Sequence, residues 1–111
     1  MKNYIMDGEA LELTAPYNVA SGGGALVGSI FGVAKSDVLS GALGVFQLTG
    51  VIELAKTSAQ AWTVGVLIYW DDTNKVATST ASTHKLIGVA AAAAANPSSI
   101  GWVRLNGVFI A

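Results

Sequence analysis

The chain has 111 residues, with six basic and seven acidic side chains, one histidine and no cysteine. This length fits one domain, and the missing cysteines exclude a disulfide framework, a thiolate metal site and a cysteine nucleophile. A formal net charge of -1 argues against a nucleic-acid-binding protein, because such proteins normally carry a basic stripe.

Charged side chains are scarce, at 12% of the residues, against about 25% in an ordinary soluble domain. The two longest uncharged stretches are broken, the first by Pro16 and Gly22–Gly24 and the second by Asn96–Ser99, so neither is a continuous transmembrane span. We expect no signal peptide, because Asp7, Glu9 and Glu12 stand where its apolar region would lie. The composition therefore favours a protein without a membrane segment, whose surface is largely covered by other protein.

Thirteen glycines and two prolines separate short apolar runs, which is typical of an all-β domain with tight turns. Strands are predicted, in chain order, at 9–14, Ser29–Ala34, Val45–Leu48, Val51–Ala55, Val66–Trp70, Val76–Ser79, Leu86–Ala91, Gly101–Leu105 and Val108–Ile110. The segment Trp70–Val76 predicts a hairpin with an Asx-rich turn, and a single short helix is predicted near Ser58–Trp62. The run Ala90–Ala95 favours a strand that continues into a loop before Asn96-Pro97.

An internal repeat links the regions near 29–51 and 86–108. The segment Gly44–Val51 resembles Gly101–Val108, and Gly32–Ala34 resembles Gly88–Ala90. We interpret these as two similar β units in one domain spanning 1–111, with hairpin turns at Thr49-Gly50 and Asn106-Gly107. The predicted architecture is a compact β-barrel or β-sandwich of about eight to ten short strands, and both topologies stay open.

No arrangement in the sequence predicts catalysis, a metal site or a cofactor. The glycine-rich segment Ser21–Gly28 lacks the Lys-Ser/Thr pair of a phosphate-binding loop, so we interpret it as a surface loop. His84 lies in a polar segment and is predicted to be a solvated loop residue. Asp71 and Asp72 are adjacent and fit turn chemistry better than a carboxylate pair that converges on a substrate.

Three tryptophans, Trp62, Trp70 and Trp102, lie among apolar neighbours, and no lysine or arginine is interleaved with them. That pattern favours packing in the core or at a subunit interface over a stacking platform for sugars or bases.

Several segments, spread over nearly the whole chain, are similar to a bacteriophage family of short capsid cement or decoration proteins. The matching segments are Met1–Ile5, Leu11–Tyr17, Ser21–Gly28, Phe31–Ala34, Ala61-Trp62, Tyr69–Asp71 and Val103–Gly107. Some members of that family carry a recombinase label, which fits poorly here, because the chain lacks a nucleotide-binding loop and basic charge.

The resemblance implies a structural virion protein that is made in the host bacterial cytoplasm, binds the outer surface of a tailed-phage capsid and stabilises it. It implies the major capsid protein as partner and self-association, for which we favour a homotrimer over a dimer. Residues 1–8 are interpreted either as an extended arm that adds a strand to the shell or as a strand or frayed end of the chain's own fold. The predicted capsid contacts are Lys2, Tyr4 and Met6 of the arm and Gly22, Gly23 and Gly24 of the loop.

Two other functions stay open. A carbohydrate- or host-surface-binding module on the virion would use the tryptophans and would need at least one exposed tryptophan in a groove. A small enzyme around His84 ranks third and would need a pocket at that residue.

Overall fold

The structure is a computed structural model that describes residues 9–106. These residues form nine strands and no helix. The strands are β1 Ala10–Thr14, β2 Gly24–Val27, β3 Ile30–Ala34, β4 Leu43–Gln47, β5 Thr49–Ala55, β6 Leu67–Asp71, β7 Val76–Thr78, β8 Lys85–Ala90 and β9 Ile100–Asn106. The all-β prediction is confirmed, and the predicted strand Val108–Ile110 lies outside the described residues.

The strands build two antiparallel sheets, ordered β1-β4-β3-β2 and β5-β9-β8-β6-β7. The chain passes from the first sheet to the second at Leu48, the single residue between β4 and β5. The register of β6 with β8 shifts between Ile68 and Tyr69, which leaves Ile87 of β8 as an extra residue, and an irregularity of this kind increases local twist. The second sheet curls until its two edges meet, where Lys56 and Ala77 form a parallel bridge.

The predicted helix near Ser58–Trp62 is wrong. Ser58 and Ala59 form a turn, and the backbone groups that a helix would pair internally are bonded elsewhere. Trp62 N donates to Ala94 O at 2.9 Å, and Ala94 N donates to Trp62 O at 3.0 Å. The carbonyl oxygen of Gln60 accepts a bond from the Lys56 ammonium group. Tertiary hydrogen bonds therefore override the local capping signal.

The predicted hairpin turn at Thr49-Gly50 is also wrong. Both residues belong to β5, where Thr49 pairs with Asn106 and Gly50 with Leu105. Because β4 and β5 lie in different sheets, the chain does not fold back between them. Asn106 ends β9, and Gly107 lies outside the described residues.

Strand β2 differs from the sequence prediction, which gives Ser21–Gly28 as a surface loop. Gly24 and Ala25 are buried and pair with Val33 and Gly32 of β3. A Cβ at position 24 would lie 2.7 Å from the Phe31 ring. Glycine is therefore required here by close packing rather than by a turn.

The two sheets share a strand order and a register. In the first sheet Val33 pairs with Gln47, and in the second Val89 pairs with Arg104. These pairs fall at matching positions of the two segments that resemble each other in sequence. The order β1-β4-β3-β2 corresponds to β5-β9-β8-β6, and β7 is an addition to the second sheet.

Isolated bridges repeat the correspondence outside the strands. Val19 bridges to Val38 beside the first sheet, and Trp62 bridges to Ala94 beside the second. Both bridges are antiparallel and carry two backbone hydrogen bonds. The two halves of the described chain are therefore built on the same plan.

Buried side chains form two clusters. One lies under the first sheet and contains Phe46 with small neighbours. The other fills the curled second sheet around Trp62, Trp70 and Ile68. Phe31 of β3 joins this second cluster, with its ring centroid 4.9 Å from that of Trp70. Val33 of β3 joins the same cluster, so the two halves pack against each other. Residues 9–106 contain no helix that is long and apolar enough to cross a membrane.

Candidate interaction surface

Of the predicted contact residues, Lys2, Tyr4 and Met6 lie outside the described residues. Gly22, Gly23 and Gly24 precede or begin β2, and they are exposed, half-buried and buried respectively. Gly22 has φ +83°, a conformation that favours glycine. Gly22 is the most exposed of the three, and all three stay predicted contacts.

The outward faces of two strands carry large apolar side chains. Leu43 and Val45 are exposed on β4, and Ile100 and Trp102 are exposed on β9. In β9 the alternate residues Gly101, Val103 and Leu105 are buried, as the two-residue period of a strand requires. A strand face open to water normally carries polar residues, so these faces are suited to contact with another molecule.

On the strand next to each exposed apolar face, a glutamate pairs with one of the apolar residues. Glu12 of β1 pairs with Val45, and Glu53 of β5 pairs with Trp102. The Trp102 indole Nε1 donates to Glu53 Oε1 at 3.2 Å. We name Glu12, Leu43 and Val45 the β4 patch, and Glu53, Ile100 and Trp102 the β9 patch.

Trp102 lies between two open grooves. One, of about 330 Å³, is lined by Val51, Glu53 and Trp102, and the other, of about 280 Å³, is lined by Trp102, Ile100 and the loop Ala92–Ala95. Trp102 is 52% exposed, whereas Trp62 and Trp70 are buried. The packing prediction is confirmed for those two, and an interface role for Trp102 stays a prediction.

A polar cluster joins the first sheet to the β6–β7 hairpin. Tyr17 Oη donates to Gly24 O at 2.9 Å and lies 3.4 Å from Asp72 Oδ1. The same Asp72 oxygen accepts a bond from Trp70 Nε1 at 3.0 Å, and Lys75 Nζ lies 4.0 Å above the Tyr17 ring. Burial, followed by the Asp72 charge, raises the pKa of Tyr17 to about 12. The cluster fastens the two halves together with its polar groups already paired.

Lys56 is 3% exposed, which is unusual for a charged side chain. Its ammonium group donates to Thr57 O at 2.8 Å, to Gln60 O and to Ser98 O at 3.4 Å. Its Nζ also lies 5.6 Å from the Trp62 ring. Desolvation lowers the pKa of Lys56. Lys56 therefore connects the loop that contains Gln60 and the loop that contains Ser98 at the point where the edges of the second sheet meet. The sequence pattern does not predict its burial.

The residues considered for catalysis lie in or beside turns. Asp71 Oδ1 accepts from Thr73 N at 3.0 Å and from Asn74 N at 3.1 Å, which confirms the Asx-rich turn. The Asn74 side chain and these backbone donors lower the pKa of Asp71. His84 precedes β8, and its backbone N–H donates to Ala81 O. Among residues 9–106, no three His, Asp or Glu side chains are grouped closely enough to hold a metal ion.

Comparison with known families gives one match. A family model described as phage cement protein matches residues 5–105. Neither the curated proteins nor the solved structures give a match to this chain.

Proposed function

The chain belongs to the phage cement protein family, and from this membership we propose that it binds the outer surface of a tailed-phage capsid and stabilises the assembled shell. The family implies a phage structural role at the capsid rather than catalysis. The position on the outer face and the binding to the major capsid protein are part of the proposal.

The observation that carries the proposal, beside the family, is the pair of exposed apolar strand faces on β4 and β9. Only 12% of the residues are charged, and the chain exposes Leu43, Val45, Ile100 and Trp102. A complex that buries these side chains is stabilised by the removal of apolar surface from water. Burial of apolar surface contributes about 25 cal/mol per Å². Contact with a shell would supply such burial.

The mechanism is linkage. A protein that binds the assembled lattice and not the free subunits shifts the equilibrium toward the lattice by mass action. Many weak contacts, each repeated over the lattice, suffice for this. No bond in the chain needs to form or break.

We propose self-association as part of the same function, with a homotrimer favoured over a dimer. A closed symmetric assembly buries apolar surface that one copy would expose. The arm residues Lys2, Tyr4 and Met6 and the loop residues Gly22, Gly23 and Gly24 remain proposed contacts outside the two patches. Sedimentation equilibrium of the purified protein distinguishes three copies from two.

The test of capsid binding is gradient sedimentation. Expanded and unexpanded capsids of the phage that encodes this chain, assembled without it, are mixed with the purified protein. Cosedimentation at a fixed ratio to the major shell protein supports the proposal. Failure to bind either form of the shell would rule it out.

A second function has one specific observation in its favour. Trp102 is exposed between two grooves, beside the Glu53 carboxylate, and an exposed aromatic face beside a hydrogen-bonding group also suits a sugar ring. This arrangement supports a carbohydrate-binding module as the alternative. Quenching or a spectral shift of Trp102 fluorescence by sugars would favour it, and the Trp102→Phe variant is the control.

A further inference from the structure

The β4 patch and the β9 patch occupy matching positions in the two halves of the chain. Val45 lies opposite Glu12 in the first sheet, and Trp102 lies opposite Glu53 in the second. Two residues earlier on the same strands, Leu43 lies opposite Thr14 and Ile100 opposite Ala55. Each half therefore places two apolar side chains and one carboxylate in the same arrangement.

The backbone beneath the two patches has a similar arrangement. Between the two apolar residues stands a glycine, Gly44 in β4 and Gly101 in β9, and each has a bridging residue packed against its inner side. That residue is Val38 under Gly44 and Trp62 under Gly101. Both belong to the isolated bridges beside the sheets, Val38 as the later residue of its bridge and Trp62 as the earlier residue of its own.

Packing within the chain does not explain why the four patch residues are apolar, because their side chains are largely exposed. Leu43 and Val45 are 64% and 42% exposed, and Ile100 and Trp102 are 48% and 52% exposed. Positions so exposed are not constrained by the core, and a polar residue would cost no packing there. Both halves nevertheless carry large apolar residues at these positions.

We propose that the β4 patch and the β9 patch are two versions of one binding surface, so that each copy of the chain engages two like sites on the capsid shell, each presenting an apolar side chain beside a lysine or arginine. This inference rests on the proposed function, because a lattice of identical subunits presents like sites repeatedly.

The carboxylates define the chemistry of the partner. Among residues 9–106, no lysine, arginine or histidine nitrogen lies within 4.0 Å of Glu12 or Glu53. Each patch therefore offers an acceptor without an ion-pair partner from the described chain. Contact of one patch with the other between copies would bring carboxylates together, whereas a cationic partner surface is complementary to both.

The two sites must lie close together on the shell. Val45 and Glu53 are eight residues apart, so along an extended strand path they are separated by at most about 26 Å. Two contacts joined so rigidly act with an avidity that exceeds either single affinity by about 10²–10⁴-fold when both engage.

The test compares variants that remove one patch at a time. The first carries Leu43→Thr and Val45→Thr, the second carries Ile100→Thr and Trp102→Thr, and the third carries all four. Threonine keeps strand propensity while it removes the apolar surface. The control carries Leu39→Thr and Val64→Thr, which change two exposed apolar residues outside the patches.

Affinity is measured by titration of expanded capsids that lack the protein. We expect the first and second variants each to bind at least tenfold more weakly than the unaltered chain, the third to show no binding, and the control to bind normally. Glu12→Gln and Glu53→Gln should each weaken binding and reduce its dependence on salt.

Three results would overturn the inference. The first is normal binding by either single-patch variant, which would leave one functional patch or none. The second is a lower molecular mass for a patch variant before any shell is added, which would assign the patch to contact between copies. The third, no binding by the unaltered chain, would count against the proposed function itself as well as this inference.

Discussion

The Trp62 indole lies against the backbone of Gly101, so close that a Cβ at position 101 would stand 2.7 Å from Trp62 Cε3. Trp62 is 1% exposed and is the largest fully buried side chain among the described residues. Trp62 can therefore pack against the inner side of β9 because Gly101 has no side chain. The same strand exposes Trp102 on its other side.

Gly101→Ala is expected to lower the free energy of unfolding by about 1–3 kcal/mol, the usual cost of overpacking. Chemical denaturation with fluorescence detection measures this. In a double-mutant cycle Trp62→Phe should relieve part of the loss, because the smaller ring removes atoms that the new methyl group meets.

Gly88→Ala is the matched comparison. A Cβ at position 88 would meet the backbone carbonyl of Arg104 rather than a side chain. No side-chain truncation relieves that clash, so Gly88→Ala should destabilise the protein whether or not Trp62 is changed. Purely additive effects of Gly101→Ala and Trp62→Phe would contradict the packing described for Trp62.

Lys56→Met is expected to destabilise the protein by about 1–3 kcal/mol, because it leaves three part-buried carbonyl oxygens without this donor. The affected oxygens belong to Thr57, Gln60 and Ser98. Lys35→Met, at an exposed lysine, should change the stability little. Equal stability of Lys56→Met and the unaltered protein in urea would mean that the lysine is not needed to hold these loops.

The hydroxyl of Tyr17 should make the fold sensitive to alkaline pH. Burial and the Asp72 charge raise its pKa from 10.0 to about 12 in the folded state. The unfolded chain therefore loses this proton first, and stability that is fully present below pH 10 is lost as the pH rises to about 12. The free energy of unfolding, followed between pH 9 and 12, should fall less steeply for Tyr17→Phe. Identical slopes for the two proteins would contradict the raised pKa.

One tryptophan of three should respond to a charged quencher. Iodide should reach Trp102, which is half-exposed, and not the buried Trp62 and Trp70. Trp102→Phe should remove the quenchable fraction of the fluorescence. Bound capsid should protect that fraction in the unaltered protein, whereas quenching that persists on the shell would place Trp102 away from the contact.

How far the sequence predicts this fold can be seen strand by strand. The alternation Gly101-Trp102-Val103-Arg104-Leu105 predicts β9, and it already places Trp102 on the face opposite Val103 and Leu105. The similarity of Gly32–Ala34 to Gly88–Ala90 anticipates that β3 and β8 meet their partner strands in the same register. The alternation of apolar and polar residues predicts which face of the strand each side chain occupies, because the side chains of a strand have a period of two residues. The similarity between the two segments predicts that they pair with their neighbours in the same register.

Other features depend on partners that are distant in sequence. No helix forms near Ser58, because the Gln60 and Trp62 carbonyl oxygens accept hydrogen bonds from Lys56 and Ala94. Gly24 begins a strand because Phe31 and Trp70 pack against it, and no neighbour of Gly24 in the sequence signals this. The β4 patch was missed in part because the predicted strand began at Val45, two residues after β4 begins at Leu43.

The central test of shell stabilisation is the temperature at which expanded capsids disrupt, followed by calorimetry as the concentration of this protein is raised. Linkage predicts that the disruption temperature rises with the logarithm of the free protein concentration once the sites begin to fill. The four-residue patch variant should leave that temperature unchanged. A disruption temperature that does not move when the unaltered protein is bound to the shell would contradict a stabilising role.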